Sequence, residues 1–387
     1  MKKQKILISL ILIGIVGAAL LAGLYYTEKN DEKQYIMTSF VENKEPDTEE
    51  GPEEETECLA TEQLELSESS IELETEQPQQ PVSLLFAGDV YLSGYVTENY
   101  DNEGITGVLD ETLLSEMQSA DICMINEEFP FGTTGTPAED KQFTFRLHPS
   151  YISVFEDMGV DIVSLANNHV LDYGKEPLQE TLQVLNENEI LYAGAGKDLA
   201  DASALRTITV GKEDYGFLSA SRVIPVTEWD VRNAQPGVFT TYDETLLIEA
   251  IKKAKESCDF LTVYVHWGIE RNTTPEEYQK QLAHAYIDAG ADLVIGAHPH
   301  VLQGIEAYNG KMIFYSLGNF IFNQSIEKTM LVKVTKEENA IEYSILPAYA
   351  TGAKTNVLAA EQEAFYSYLE SLSYGVTIED GKIGVKE

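Results

Sequence analysis

Basic residues are scarce in this chain. Lysine and arginine total 26 against 65 aspartates and glutamates in 387 residues, a formal charge of −39 at pH 7. That balance excludes non-specific nucleic-acid binding, because a phosphate backbone is held by basic surfaces. Cysteine is scarcer still. Cys58, Cys123 and Cys258 are too few and too scattered for a disulfide framework or a thiolate metal cluster. Cys123 lies in an apolar run and Cys258 borders one, which suits buried or inert thiols. A dinucleotide loop is lacking too: Gly194-Ala195-Gly196 follows an apolar run but does not continue into G-x-G-x-x-G.

What is present falls into unlike segments. Residues 1–5 form a basic end with Lys2, Lys3 and Lys5, and residues 6–26 are an uncharged run of 21 residues. A helix of that length crosses a hydrocarbon core of roughly 30 Å. The basic flank predicts an inside amino end with the remainder outside. A cleaved signal peptide is the rival, but its apolar region is normally shorter and no A-x-A site stands near Ala22. The expectation is an uncleaved, single-pass anchor in the cell membrane with an extracytoplasmic domain. Residues 27–81 carry 18 acidic and 3 basic residues. Such a stretch buries too little apolar surface to offset its ordering entropy, so a disordered, self-repelling linker is expected. Fully extended it reaches at most roughly 180–200 Å.

From Val82 onward short apolar runs alternate with amphipathic stretches, the pattern of an α/β domain. What ends each run matters most. Val82–Ala87 ends in Gly88-Asp89, and Ala120–Ile125 ends in Asn126-Glu127-Glu128. Val160–Ala166 ends in Asn167-Asn168-His169, with Asp172 three positions on. Phe260–Val265 ends in His266, and Leu293–Ala297 in His298-Pro299-His300. Turn chemistry accounts for Asp and Asn but does not favour His. Neighbouring strands would bring Asp89, Glu128, Asn168, His266, His298 and His300 to one sheet edge, where open α/β sheets gather ligands. A mixed N/O set without thiolate suits Zn, Mn or Fe over Mg or Ca. A pair of ions roughly 3.5–4 Å apart would polarise an ester oxygen and supply hydroxide at neutral pH. His169 beside them suits a general acid. Phe143-Thr144-Phe145-Arg146 alternates like a strand and presents Arg146, a residue suited to gripping phosphate or carboxylate, with a plain surface ion pair as the other reading.

These blocks, together with Asp172-Tyr173-Gly174, His266-Trp267-Gly268 with Glu270, and Ser316-Leu317-Gly318-Asn319-Phe320, resemble the capsule-synthesis CapA (PGA_cap) family, which is related to calcineurin-like metallophosphoesterases. The resemblance spans residues 82–350 and leaves 351–387 as a carboxyl-terminal extension. It implies a four-layer α/β/β/α metallophosphatase-like sandwich behind the anchor and linker. It also implies a part in making, exporting or anchoring poly-γ-glutamate, with other capsule-export proteins as partners. By position it makes Asp89, Glu128, Asn168, His266, His298 and His300 the ligands of one or two divalent ions, and His169, with Asp172, the acid. Two departures stand out. Tyr91 occupies the place where the wider metallophosphatases have a histidine, and Glu128 replaces their bridging aspartate. Three functions follow as expectations: a metal-dependent hydrolase with Arg146 as anion clamp, a non-catalytic polymer-binding component, or a generic surface metallophosphoesterase.

Overall fold

The computed structural model describes residues 80–386 apart from Asn339. The expected membrane run and nearly all of the acidic linker lie outside these residues. Among the described residues no helix is long and apolar enough to cross a membrane.

Two sheets make up the centre. The larger has ten strands, with a main path Val376–Glu379, Lys382–Val385, Ala340–Thr351, Ser325–Glu337, Val82–Val90, Ile122–Glu127, Ile162–Ser164 and Leu191–Ala193. The last four in that path run parallel to one another, and Ser325–Glu337 and Ala340–Thr351 join antiparallel. The smaller sheet has six strands. Its parallel centre is Glu213–Ser221, Phe260–His266, Leu293–Ala297 and Lys311–Phe314.

Strand alternation sorts the side chains between layers. Leu84 and Phe86 point between the sheets, into a core shared with Met124, Tyr264, Ile295 and Phe314. Their neighbours Leu85, Ala87 and Val90 face outward, among Leu113, Met117, Phe155, Leu178 and Leu185 of the helices Glu111–Ser119, Ser153–Met158 and Lys175–Glu187. On the far side Leu261, Val263 and Val294 pack against Leu247, Ile251, Leu282 and Tyr286 of the helices Thr245–Lys255 and Glu277–Ala289. The layers are therefore helix, sheet, sheet, helix. Strands buried on both faces explain why the sequence shows unbroken apolar runs rather than alternation.

Three stretches differ from the sequence reading. Phe143–Arg146 is not a strand. The Phe145 N–H goes to the Asp172 carboxylate at 2.7 Å instead of to a ladder. Helices Gly94–Glu103 and Glu111–Ser119 occupy a stretch for which no element was expected. The second opens on Asp110, whose side chain caps the Leu113 N–H at 2.8 Å. Beyond Ala350, the strands Lys354–Val357, Val376–Glu379 and Lys382–Val385 join the larger sheet, Ile383 in register with Tyr343.

Candidate metal centre

Because their strands are parallel, the carboxyl ends of Val82–Val90, Ile122–Glu127 and Ile162–Ser164 share one edge of the larger sheet, and those of Phe260–His266 and Leu293–Ala297 share one edge of the smaller. The two edges meet. Tyr264 donates to the Ala87 carbonyl at 2.8 Å, tying the sheets together two residues before His266 and Asp89. Gly88 allows the approach of the next segment: a Cβ there would lie 1.9 Å from the Gly318 carbonyl oxygen, which accepts from the Asp89 N–H at 2.9 Å.

At this junction the six expected ligands come together. Glu128, His266 and His298 form one triad and Asp89, Glu128 and His300 another, with the ligand atoms of each within 4.8 Å of one another. Glu128 is shared: its Oε1 lies 3.7 Å from His266 Nε2 and 3.9 Å from His300 Nε2. Asn168 Oδ1 is 2.8 Å from His266 Nε2, on the side of the first triad. Asp89 Oδ2 is 3.2 Å from His300 Nδ1, and Asp89 Oδ1 accepts from the Asn126 amide at 2.9 Å. The turn carrying His298 and His300 is strained, with φ of 96° and 58° at the two residues. Such conformations cost on the order of 1–3 kcal/mol each and cluster where function needs them.

Electrostatics point to a cation. Burial holds the His266 ring well below its ordinary value, with His298 and His300 adding to the effect. Burial and the neighbouring His300 push His298 down to about 3. Both rings therefore keep a lone pair free at neutral pH. Burial opposes charge on His300 as well, but Glu128, Asp89 and the Asn319 amide outweigh it and lift the ring to about 10. Burial raises the Glu128 carboxyl well above its usual range, and the adjacent Asp89 adds to this. Both Glu128 oxygens and His298 Nδ1 are buried with no hydrogen-bond partner. An orphaned buried polar group costs roughly 1–3 kcal/mol, so three around one point fit a bound ion that would take all three. Glu127 is also buried and unpartnered, yet it belongs to neither triad, and nothing in the structure explains it.

Beside the triads, His169 Nδ1 meets Asp172 Oδ2 at 2.6 Å. This turn is held by Asn167, whose Oδ1 accepts the N–H groups of His169 and Val170 at 3.0 Å and whose amide donates to the Glu127 carbonyl at 2.7 Å. Burial lowers the His169 ring, Asp172 opposes this, and Lys141 and His300 reinforce it. Arg146 is not at the cluster. It donates to the Thr134 carbonyl, its guanidinium lies 4.2 Å from the Tyr173 ring centre, and Glu180 is its charged neighbour. The basic side chain that reaches the His169–Asp172 pair is instead Lys141, which contacts Asp172 Oδ1, the Asn168 carbonyl and, at 3.0 Å, His169 Nδ1. Nothing in the sequence marked it, since it follows what reads as an exposed loop. Tyr91 faces an aromatic wall: it stacks on Phe145 at 3.8 Å, Phe145 stacks on His169 at 4.2 Å, and Phe322 stands 5.1 Å from His300. Asn319, quoted in a motif but given no role, lies 2.8 Å from His300 Nδ1 through its amide oxygen.

Comparison with known proteins agrees with the motifs. The "PGA biosynthesis protein CapA" of Bacillus subtilis (strain 168) is 30% identical over 315 residues, 78% of this chain and 81% of that one. The "Capsule biosynthesis protein CapA" of Bacillus anthracis is 30% identical over 263 residues, 64% of this chain and 61% of that one. Among solved structures, a 5′-nucleotidase from Candida albicans SC5314 aligns at 12% identity and a TM-score of 0.41, over 68% of this chain and 51% of that one. The family described as "Bacterial capsule synthesis protein PGA_cap" matches residues 83–324. The chain belongs to the PGA_cap family of bacterial capsule synthesis proteins.

Proposed function

We propose that this chain is a membrane-anchored, extracytoplasmic member of the family whose metal-dependent, hydrolase-like site acts on an anionic surface polymer of the poly-γ-glutamate type. The single observation that carries the catalytic part is the pair of triads sharing Glu128, with three orphaned ligand atoms, next to the His169–Asp172 pair. Anchoring rests on residues 1–26 of the sequence alone.

Glu128, His266, His298 and Asn168 would hold one divalent ion, and Asp89, Glu128 and His300 a second. When bound, such ions polarise a carbonyl or phosphoryl oxygen and activate water. The two half-sites are chemically unlike. The first offers two imidazoles, which suits Zn, Mn or Fe; the second offers two carboxylates and one imidazole and accepts harder ions such as Mn.

The remaining work falls to the chain's own groups. Asp172 accepts from His169 Nδ1–H and turns Nε2 outward; a proton taken up on Nε2 makes an imidazolium that Asp172 supports and that can then donate to a leaving group. Lys141 neutralises the other Asp172 oxygen, and Asp172 fastens the Phe143–Arg146 segment to the turn by accepting from the Phe145 N–H. Phe145 covers one face of the imidazole and excludes water from it. The folded part carries a net −27, so long-range steering of a polyanion is unfavourable and recognition must be local, within a Debye length of about 8 Å.

The test is incubation of the metal-loaded, full-length protein with γ-linked glutamate polymer and, separately, with a simple aryl phosphate. Shortening of the polymer supports the hydrolase reading. Binding without shortening would replace it with an export or anchoring role, and aryl phosphate turnover without polymer binding would make the chain a generic phosphoesterase.

A further inference from the structure

The ligands are not equally accessible. The side chains of Asp89, Glu128 and His266 are fully buried, whereas His300 keeps 18% of its side-chain surface exposed. The exposed edge of His300 opens into a cleft of about 400 Å³, within the size range of small-ligand sites. Asn319 stands at the head of the cleft beside His300. Its amide oxygen is spent on His300 Nδ1, which leaves the amide N–H groups as donors. Lys328 and Tyr368 also line the cleft, with the Lys328 ammonium 5.1 Å from the Tyr368 ring centre. Lys328 pairs with Glu327, which also lines the cleft, at 2.5 Å, and the Glu327 side chain is 89% exposed. Such a surface pair is worth little and yields readily to a competing anion.

We propose that this cleft is a subsite for an extended, carboxylate-bearing chain, and that it seats the unit next to the one at the metal centre. Asn319 donates to a backbone amide carbonyl of the ligand, Lys328 pairs with its side-chain or terminal carboxylate, and Tyr368 supports the aliphatic part. The cleft holds one or two such units, not a long stretch, so discrimination between a polymer and a single small phosphoester arises here. This inference rests on the polymer reading of the same site.

Two variants of the full-length, metal-loaded protein test it. Lys328→Glu reverses the cation, and Ser325→Tyr fills the cleft from an exposed strand end. The probes are a γ-linked glutamate tetramer and inorganic phosphate, both measured by calorimetry. The expected result is weaker tetramer binding by about fivefold or more in each variant, with phosphate affinity and metal content unchanged and Lys328→Arg close to wild type. Unchanged tetramer affinity in both variants, with the wild type binding the tetramer, overturns the subsite and leaves the polymer reading standing. A wild type that binds phosphate but not the tetramer overturns both.

Discussion

Replacing Glu128 by glutamine should not stabilise the metal-free protein and should remove most of the stabilisation that metal confers. In the metal-free chain the Glu128 carboxyl is fully buried, lies beside Asp89, and has no hydrogen-bond partner on either oxygen. Glutamine keeps the shape and removes the ionisable group. The amide is as buried and as unpaired as the carboxyl, and the attraction to the His300 ring is lost, so no net stabilisation is expected. In the presence of chelator the variant's Tm should therefore be no higher than that of the wild type. With metal the two proteins diverge. An ion at a hundredfold excess over its Kd stabilises the wild type by about 2.7 kcal/mol, a shift of roughly 5–10 °C. Glu128 is common to both triads, so the glutamine variant loses a charged ligand from each and should show little of that shift. Thermal melts with chelator and with excess Mn²⁺ or Zn²⁺ read out both halves. A variant that keeps the full metal-induced shift would refute the shared-ligand reasoning.

Other substitutions separate the parts of the site. His169→Gln should leave metal content unchanged and lower turnover of an accepted substrate by about 10²–10⁴, the usual worth of a general acid; equal rates would remove His169 from the chemistry. In the metal-free protein the ring of His300 is raised to about 10, so its stabilising contact with Glu128 and Asp89 is complete below the ordinary imidazole value near 6.5 and is lost as pH rises through about 10. Denaturant melts between those limits should show falling stability in the wild type and a flatter profile in His300→Asn. Metal affinity should rise over the same interval, because that proton must leave before the nitrogen can coordinate. Gly88→Ala places a Cβ against the Gly318 carbonyl and should cost about 2–4 kcal/mol in a urea titration; a near-neutral result would mean that the two segments can separate freely.

The convergence of the six candidate ligands was legible because each follows an apolar run directly. Once such runs are parallel strands, their carboxyl ends meet without further information, and Asp89, Glu128, Asn168, His266, His298 and His300 converge. The His169–Asp172 pair was legible because a turn of three residues fixes it locally. Lys141 was not, since its place depends on how the loop 133–147 folds back over Asp172, and no periodicity encodes that. Arg146 was misread for the same reason. A cation next to an alternating pair looks like a strand presenting a side chain, but the Phe145 N–H is taken by a carboxylate and the guanidinium turns to Tyr173. The helices Gly94–Glu103 and Glu111–Ser119 escaped notice because they bury few side chains, among them Val96, Leu113 and Met117, too few to show a clear apolar stripe. Asn319 carried a motif but no role, because only the turn geometry of His300 brings the two together.

Metal content is the most direct test. The full-length protein and its His298→Ala/His300→Ala variant would be loaded with Mn²⁺ or Zn²⁺, freed of excess ion by gel filtration, and measured by elemental analysis, with circular dichroism to verify the fold. The wild type should retain one or two divalent ions per chain, one for each triad that is filled, and the folded double variant none. A folded double variant that retains as much metal as the wild type would contradict the assignment of this sheet edge as a metal centre.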